Sequence, residues 1–208
     1  MTRHDTAMHA LLVGLATSLF VLQPLADLGW VPAVLPPVVT LATMLAGMAA
    51  LTRLGGGIWP LGACVALGAG AVTLDSGEVA GLASIAGLLL LCGALLRQVL
   101  AAGDVTRARI EGAIALYLLV ALLFATAYET LEGFAPGSFA GATALPQSFR
   151  YFSLVAQTST GFGDIVPATP LARTLVTLQA VTGQIFIAVL LARLVSLELA
   201  ARAEKRQG

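Results

Sequence analysis

Residues 157–167 read QTSTGFGDIVP. Three hydroxyl side chains, Thr158, Ser159 and Thr160, precede two glycines, Gly161 and Gly163, which flank Phe162 and are followed by Asp164. What this strip offers chemically is oxygen: hydroxyls, main-chain carbonyls and one carboxylate. Glycine has no Cβ and reaches backbone angles closed to other residues, so successive carbonyls can be turned the same way. Carbonyl oxygens aimed at an axis can replace the water shell of a cation. An acid at the mouth of such a path concentrates cations there. One chain supplies one strip, so a ring of oxygens requires several copies in a cyclic homo-oligomer. A glycine-rich turn between two helices would account for the glycines, but not for the hydroxyl run and the acid beside them.

The chain around the strip is built for lipid. It has 208 residues, of which 58% are hydrophobic and 11% charged, against about 25% charged in a soluble domain. That is too little charge to cover a water-facing surface. The formal net charge is zero, so no bulk basic field points to nucleic acid. Six apolar runs have roughly the length a spanning helix needs: 8–26, 33–52, 57–74, 79–101, 109–128 and 170–197. Pro36 and Pro37 either start the second span or kink it.

Between the fifth and sixth runs lies a long connection, 129–169, which opens on the Gly/Ala/Pro-rich EGFAPGSFAGATA. Pro146 suits the first turn of a helix, and the stretch to about Thr158 makes about three turns, too short to span. A short helix followed by an irregular polar strip describes a re-entrant segment. Irregular backbone at membrane depth is tolerated only where it lines a water-filled path or is buried in protein. The helix would point its partly negative C-terminal end toward the membrane centre, which favours a cation there. The expected fold is therefore an all-α membrane protein, with six transmembrane helices and a re-entrant pore helix and filter loop between the fifth and sixth.

Charges orient this scheme. With a cytoplasmic N-terminus and six crossings, Arg3, Arg53, Arg97, Arg107, Arg109, Arg193, Arg202, Lys205 and Arg206 fall on the cytoplasmic side, nine of the eleven Lys and Arg. Only Arg150 and Arg173 fall outside, and the positive-inside rule is met. Both termini are then cytoplasmic. The first run could serve as a signal-peptide core, but Arg3 is offset by Asp5 and no convincing small-x-small cleavage site precedes Trp30. Cys64 and Cys92 lie inside apolar runs and read as buried thiols. His4 and His9, both near the N-terminus, are the only histidines, so no His-pair, CxxC or HExxH metal pattern exists. Gly62, Ala66 and Gly70 in the third run, and Ala83 and Gly87 in the fourth, are spaced for close helix packing.

The segment from about Ile110 to Leu199, a little under half the chain, resembles the pore module of the tetrameric potassium channel superfamily: outer helix, pore helix, filter, inner helix. TSTGFGD matches that family's filter signature T-x-G-[YF]-G-D. The resemblance implies that Ser159, Thr160, Gly161 and Phe162 supply ion-coordinating carbonyls, within a filter running from Thr158 to Gly163, and that the Ser159 hydroxyl serves the innermost site. It implies that Asp164 sits at the outer mouth and that Tyr151 and Phe152 brace the filter from the pore helix. Gly183, 22 positions after Gly161, stands where the family often has an inner-helix hinge. Several positions depart from the pattern. Ser159 replaces the usual threonine, keeping the hydroxyl and losing the methyl. Thr160 stands where valine or isoleucine is common, its hydroxyl placed to compete for hydrogen bonds behind the filter. Phe162 lacks a phenol, and Val155 replaces a glutamate found in some relatives.

The resemblance divides the chain into residues 1–103, a four-helix membrane domain in the position of a voltage sensor, and 104–208, the pore domain. A voltage sensor needs several arginines, each contributing about 2.3 kcal/mol per 100 mV. The fourth run has Arg97 alone, at its cytoplasmic end, where a side chain snorkels. Gating is therefore not expected to be steeply voltage-dependent. Arg107 and Arg109 read as anchors or as an interfacial linker. Thr177, Thr182 and Gln184 are polar within the sixth run, and Thr182 and Gln184 are candidates to line an inner cavity.

The reading is a passive potassium-selective channel, a homotetramer in lipid, with potassium as permeant ligand and no cofactor. Its membrane would be a prokaryotic inner membrane, and a gating ligand is left unidentified. A weakly selective monovalent cation channel is the alternative that Ser159 and Thr160 keep open. A secondary cation transporter would need inverted repeats and broken helices in both halves, and the chain has one broken element. A membrane enzyme would need a convergent acid, base or metal set, and a non-conducting accessory subunit would not need an intact filter.

Overall fold

The computed structural model describes residues 3–32, 77–100, 106–141 and 146–207, with residues 35, 38, 39, 42 and 45 between the first two stretches. The expected second and third spans, 33–52 and 57–74, and Cys64 lie outside the described residues or fall largely there. Helix α1 (Arg3–Thr17) continues through a π-helical turn, Ser18–Leu22, into α2 (Gln23–Asp27). Pro24 explains the widening. Its ring collides with the carbonyl four residues back in a regular helix, and a π turn relieves that contact. Helix α3 (Gly77–Leu100) precedes α4 (Arg107–Phe134). Thr106 caps α4, its hydroxyl accepting from Arg109 N at 3.4 Å, and Pro136 follows its end.

Strand β1 (Phe139–Gly141), helix α5 (Pro146–Gln157) and strand β2 (Ile165–Pro167) come next, then the long α6 (Pro170–Gln207). Pro170 opens α6 with a preset φ, and Thr169 Oγ1 accepts from Ala172 N at 3.4 Å. Among the described residues, four helical stretches are long and apolar enough to cross a membrane: Met8–Ala26, Gly81–Leu100, Ala108–Phe134 and Pro170–Leu190. The all-helical expectation needs one addition. The two short strands pair antiparallel, with Phe139 opposite Pro167, Ala140 opposite Val166 and Gly141 opposite Ile165.

Helix α4 is the centre of the bundle. Met8, Leu11 and Leu15 of α1, Leu88, Leu91, Cys92 and Leu95 of α3, and Ala115, Leu116, Leu119 and Leu122 of α4 form one buried cluster. Cys92 is a buried free thiol, as expected for its run. The helix directions follow from their cross-contacts. At one end His9 Nδ1 lies 3.2 Å from Glu111 Oε1, and Arg193 Nη1 donates to the Val99 carbonyl at 2.7 Å. At the other end Gly81 abuts Thr130, and Arg150 donates to Gln23 Oε1. So α1 and α4 begin where α3 and the apolar part of α6 end. A Cβ on Gly81 would run into the Thr130 hydroxyl, which makes it the glycine that sets the close approach of α3 to α4.

Candidate ion-binding site

Helix α5 is held between α4 and α6. Phe149, Phe152, Ser153 and Ala156 are all buried, and their spacing puts them on one stripe of the helix. Its upper part meets an aromatic cluster. Tyr128 of α4 lies 5.2 Å from Phe139 and 5.4 Å from Phe152 between ring centroids, and Phe139 lies 5.0 Å from Phe149. Phe139 comes from the Gly/Pro-rich connection. Glu132 fixes that connection by accepting from Gly137 N at 2.7 Å and Phe139 N at 3.1 Å. The Ser138 carbonyl then accepts from Ala168 N at 2.8 Å. A Cβ on Gly141, at φ 125°, would collide with the Asp164 carbonyl. Only glycine allows the strand to lie this close to the acid.

Below this cluster a set of polar side chains, none of them solvent-accessible, joins the three helices. Gln179 of α6 accepts from the Tyr128 hydroxyl at 2.5 Å. Its Nε2 lies 2.6 Å from Ser153 Oγ, 3.1 Å from the Ser153 carbonyl and 3.1 Å from Gln157 Oε1. Ser153 Oγ donates to the Ala121 carbonyl at 2.6 Å, and Gln157 Nε2 donates to the Tyr117 carbonyl at 2.7 Å. Satisfied buried polar groups of this kind fix one arrangement of the elements they join. Gly183, one turn after Gln179, is buried, and a Cβ there would strike the Gln157 carbonyl. Helix α6 runs unbroken through it. The position named as a hinge is thus also the point where α6 touches the end of α5.

The strip itself starts where α5 ends. Thr158 N and Ser159 N donate to the Leu154 and Ala156 carbonyls at 3.0 Å, and Thr160 N donates to Val155 O at 3.0 Å. The Thr158 hydroxyl donates to Leu154 O at 2.8 Å and lies 2.9 Å from the Thr160 hydroxyl. The φ angles then alternate in sign: positive at Ser159 (56°), Gly161 (57°) and Gly163 (81°), and not at Thr158, Thr160 or Phe162. Ser159 is the one non-glycine with positive φ among the described residues. Residues 158–164 are exposed along their whole length in the single chain.

The structure separates the two aromatic residues named as filter braces. The Tyr151 ring stacks on Phe162, with centroids 6.3 Å apart and planes 3° from parallel. Phe152 instead turns into the buried cluster and holds α5. The Tyr151 phenol is held above its ordinary range by desolvation, and then by its hydrogen bond to Asp164 and that carboxylate's charge. Val155 is buried. Gln184 Nε2 donates to Ser159 Oγ at 3.0 Å, so it does reach the strip. Thr182 lies elsewhere. Its hydroxyl donates to Leu178 O at 2.7 Å, and the residue lines an apolar groove between α6 and α3 with Leu96, Val99, Phe186 and Arg193.

Sequence reasoning missed Tyr128, Phe139, Ser153, Gln157 and Gln179. The signal for Gln179 was present: it is a polar residue inside an apolar run, and such residues usually face the interior of a bundle.

The comparisons with known proteins bear on this same region. Residues 116–198 match a family model described as ion channel. The chain is 40% identical over 78 residues to the inward rectifier potassium channel Kirbac3.1 of Paramagnetospirillum magnetotacticum, covering 36% of this chain and 24% of that protein. No solved structure matches. The two matches support the resemblance to the potassium channel superfamily, and the family model spans most of α4, all of α5 and the strip, and most of α6.

Proposed function

We propose that this chain is the subunit of a passive potassium-selective channel, with the strip 158–163 as its filter. The observation that carries the proposal is the alternating backbone handedness from Ser159 to Gly163, beginning at the end of a helix held by buried polar bonds. Alternating right- and left-handed residues put successive N–H groups on one side, and the carbonyls then lie on the other. The carbonyls of Ser159, Thr160, Gly161 and Phe162 would form the coordinating rungs, with the Ser159 hydroxyl below them and Asp164 at the outer mouth.

A homotetramer supplies the ring. The exposed strip, and the apolar face of α6 with Leu171, Leu178, Val181 and Ile185 exposed, are surfaces a second copy would cover. Helix α5 is the re-entrant pore helix of this reading, and α4 and α6 are the outer and inner helices. Helix α2 ends and α3 begins near the Arg150 end of the bundle, and the six apolar runs of the sequence carry the reading of six crossings. The basic residues Arg109 and Arg193 mark the opposite end as cytoplasmic, in a membrane of the prokaryotic inner type. Helix α3 carries Arg97 alone as a basic residue, which supports gating that is not steeply voltage-dependent. Residues 1–103 would then surround the pore rather than sense the field.

The test is the reversal potential of the purified protein in a planar bilayer under opposed potassium and sodium gradients. A reversal near the potassium equilibrium potential is expected. A reversal near zero with current flowing refutes potassium selectivity and favours the weakly selective cation pore. Thermal stabilisation by potassium over sodium checks the same filter when the gate is closed.

A further inference from the structure

Serine at position 159 leaves a mechanical question. Threonine's second γ-substituent restricts χ1, whereas a serine hydroxyl has three open rotamers. A hydroxyl serving the innermost site must keep a lone pair toward the ion and its hydrogen away. It must also resist moving inward to suit a smaller cation. The neighbouring threonines do not hold it, because the Thr158 and Thr160 hydroxyls are engaged with each other and with Leu154 O. The contact made by Ser159 Oγ comes from across the site: Gln184 Nε2 of α6, at 3.0 Å.

The approach that makes this contact possible is built into the next residue back. Gly183 has no side chain, so α6 can come against the Gln157 carbonyl, and Gln184 is thereby brought within reach of the filter. Ser159 is also the strained residue of the strip, with φ 56° and no glycine freedom. Such backbone persists only where its surroundings determine it, and the amide of Gln184 is one of the groups that meets it.

We infer that Gln184 is a positioning residue for the innermost cation site, holding the Ser159 hydroxyl outward in place of the missing threonine methyl; this rests on the potassium-channel reading given above. The Nε2–H donates to one Oγ lone pair. The hydroxyl hydrogen is then directed elsewhere, and the other lone pair is left for the ion. Pulled toward α6, the oxygen sits at the wider radius that suits potassium and not at the shorter one sodium requires. Released from Gln184, it can rotate and close on the smaller ion.

The experiment is a double-mutant cycle of Gln184→Met and Ser159→Ala on the full-length protein. Two readouts are used: the potassium-to-sodium permeability ratio from reversal potentials, and the potassium concentration giving half-maximal thermal stabilisation in a sodium background. Gln184→Met is expected to lower the permeability ratio about fivefold and to raise that concentration about as much, the weight of one ordinary hydrogen bond. In the Ser159→Ala background the same change is expected to do nothing further, because its target is gone. Gln184→Met with wild-type values in both readouts overturns the inference. So does an effect that multiplies undiminished with that of Ser159→Ala. Where a variant carries no current, the stabilisation readout decides on the same criteria. Failure of the underlying reading looks different: the wild type itself then shows no preference for potassium over sodium.

Discussion

Gln179→Met is the sharpest test of how α5 is held. Methionine keeps the length and fills the space, but removes one acceptor and two donors. The Tyr128 hydroxyl loses its acceptor at 2.5 Å, and Gln157 Oε1 loses its donor at 3.1 Å. Two orphaned buried groups at about 1–3 kcal/mol each suggest a loss of about 2–6 kcal/mol. Hydrogen bonds inside membrane proteins average about 0.6 kcal/mol, so the four contacts of Gln179 suggest about 2.4 kcal/mol. The lower estimate governs the low end, and freedom of the Tyr128 hydroxyl to rotate trims the high one. A loss of about 3 kcal/mol is expected, on the order of 100-fold in the folding equilibrium. Equilibrium unfolding in mixed detergent micelles, followed by circular dichroism, measures it. Tyr128→Phe removes one bond while keeping its ring in the cluster, and should cost about 1 kcal/mol. The two changes share a bond, so together they should cost less than their sum. A change below about 0.5 kcal/mol for Gln179→Met would refute the argument that these side chains fix α5.

Other substitutions probe the same geometry. Gly183→Ala forces its methyl against the Gln157 carbonyl; overpacking of this kind costs about 1–3 kcal/mol, so a fall in stability is expected besides any change in open probability, whereas a pure hinge would alter open probability alone. Gly141→Ala combines a collision with the Asp164 carbonyl and φ 125°, and is expected to weaken the β1–β2 pairing, seen as faster amide exchange at Gly141 and Ile165. Asp164→Asn is expected to lower single-channel conductance severalfold at about 0.01 M salt and little at about 1 M, because the screening length falls from about 30 Å to about 3 Å; equal losses at both would show that the carboxylate acts by structure and not by field.

The strip and its neighbours were legible in the sequence because their requirements are local. Glycines at 161 and 163 match the positive φ found there, and Pro146 and Pro170 mark helix starts that the structure places at those residues. Phe152 shows the limit of that reading. As an aromatic on α5 it looks equivalent to Tyr151, yet one faces Tyr128 and the other Phe162. The difference comes from the phase of α5 against α4, which only packing determines. The β1–β2 pairing escaped notice for a related reason. Three-residue strands with no alternation leave no periodic signal, and Phe139 is anchored by packing against Tyr128 of α4 and Phe149 and Phe152 of α5.

The division at residue 103 raises a more general point about reading helices in lipid. By sequence, the resemblance sets residues 1–103 apart as a separate unit, in the position of a voltage sensor. In the bundle, however, α1 and α3 share one buried cluster with α4. Lipid is as apolar as leucine, so burying that face gains little from the hydrophobic effect, and helix association rests on packing and polar contacts. Such polar contacts among the described residues include His9 with Glu111, Gln23 with Arg150, and Arg193 with the Val99 carbonyl. Each joins an N-terminal helix to a different later element, namely the start of α4, α5 and α6. A displacement of α1 and α2 would therefore act directly on α4 and α5, and one of α3 on α4 and α6. The described N-terminal helices are thus joined by packing and by polar contacts to α4, α5 and α6, the elements that carry the strip.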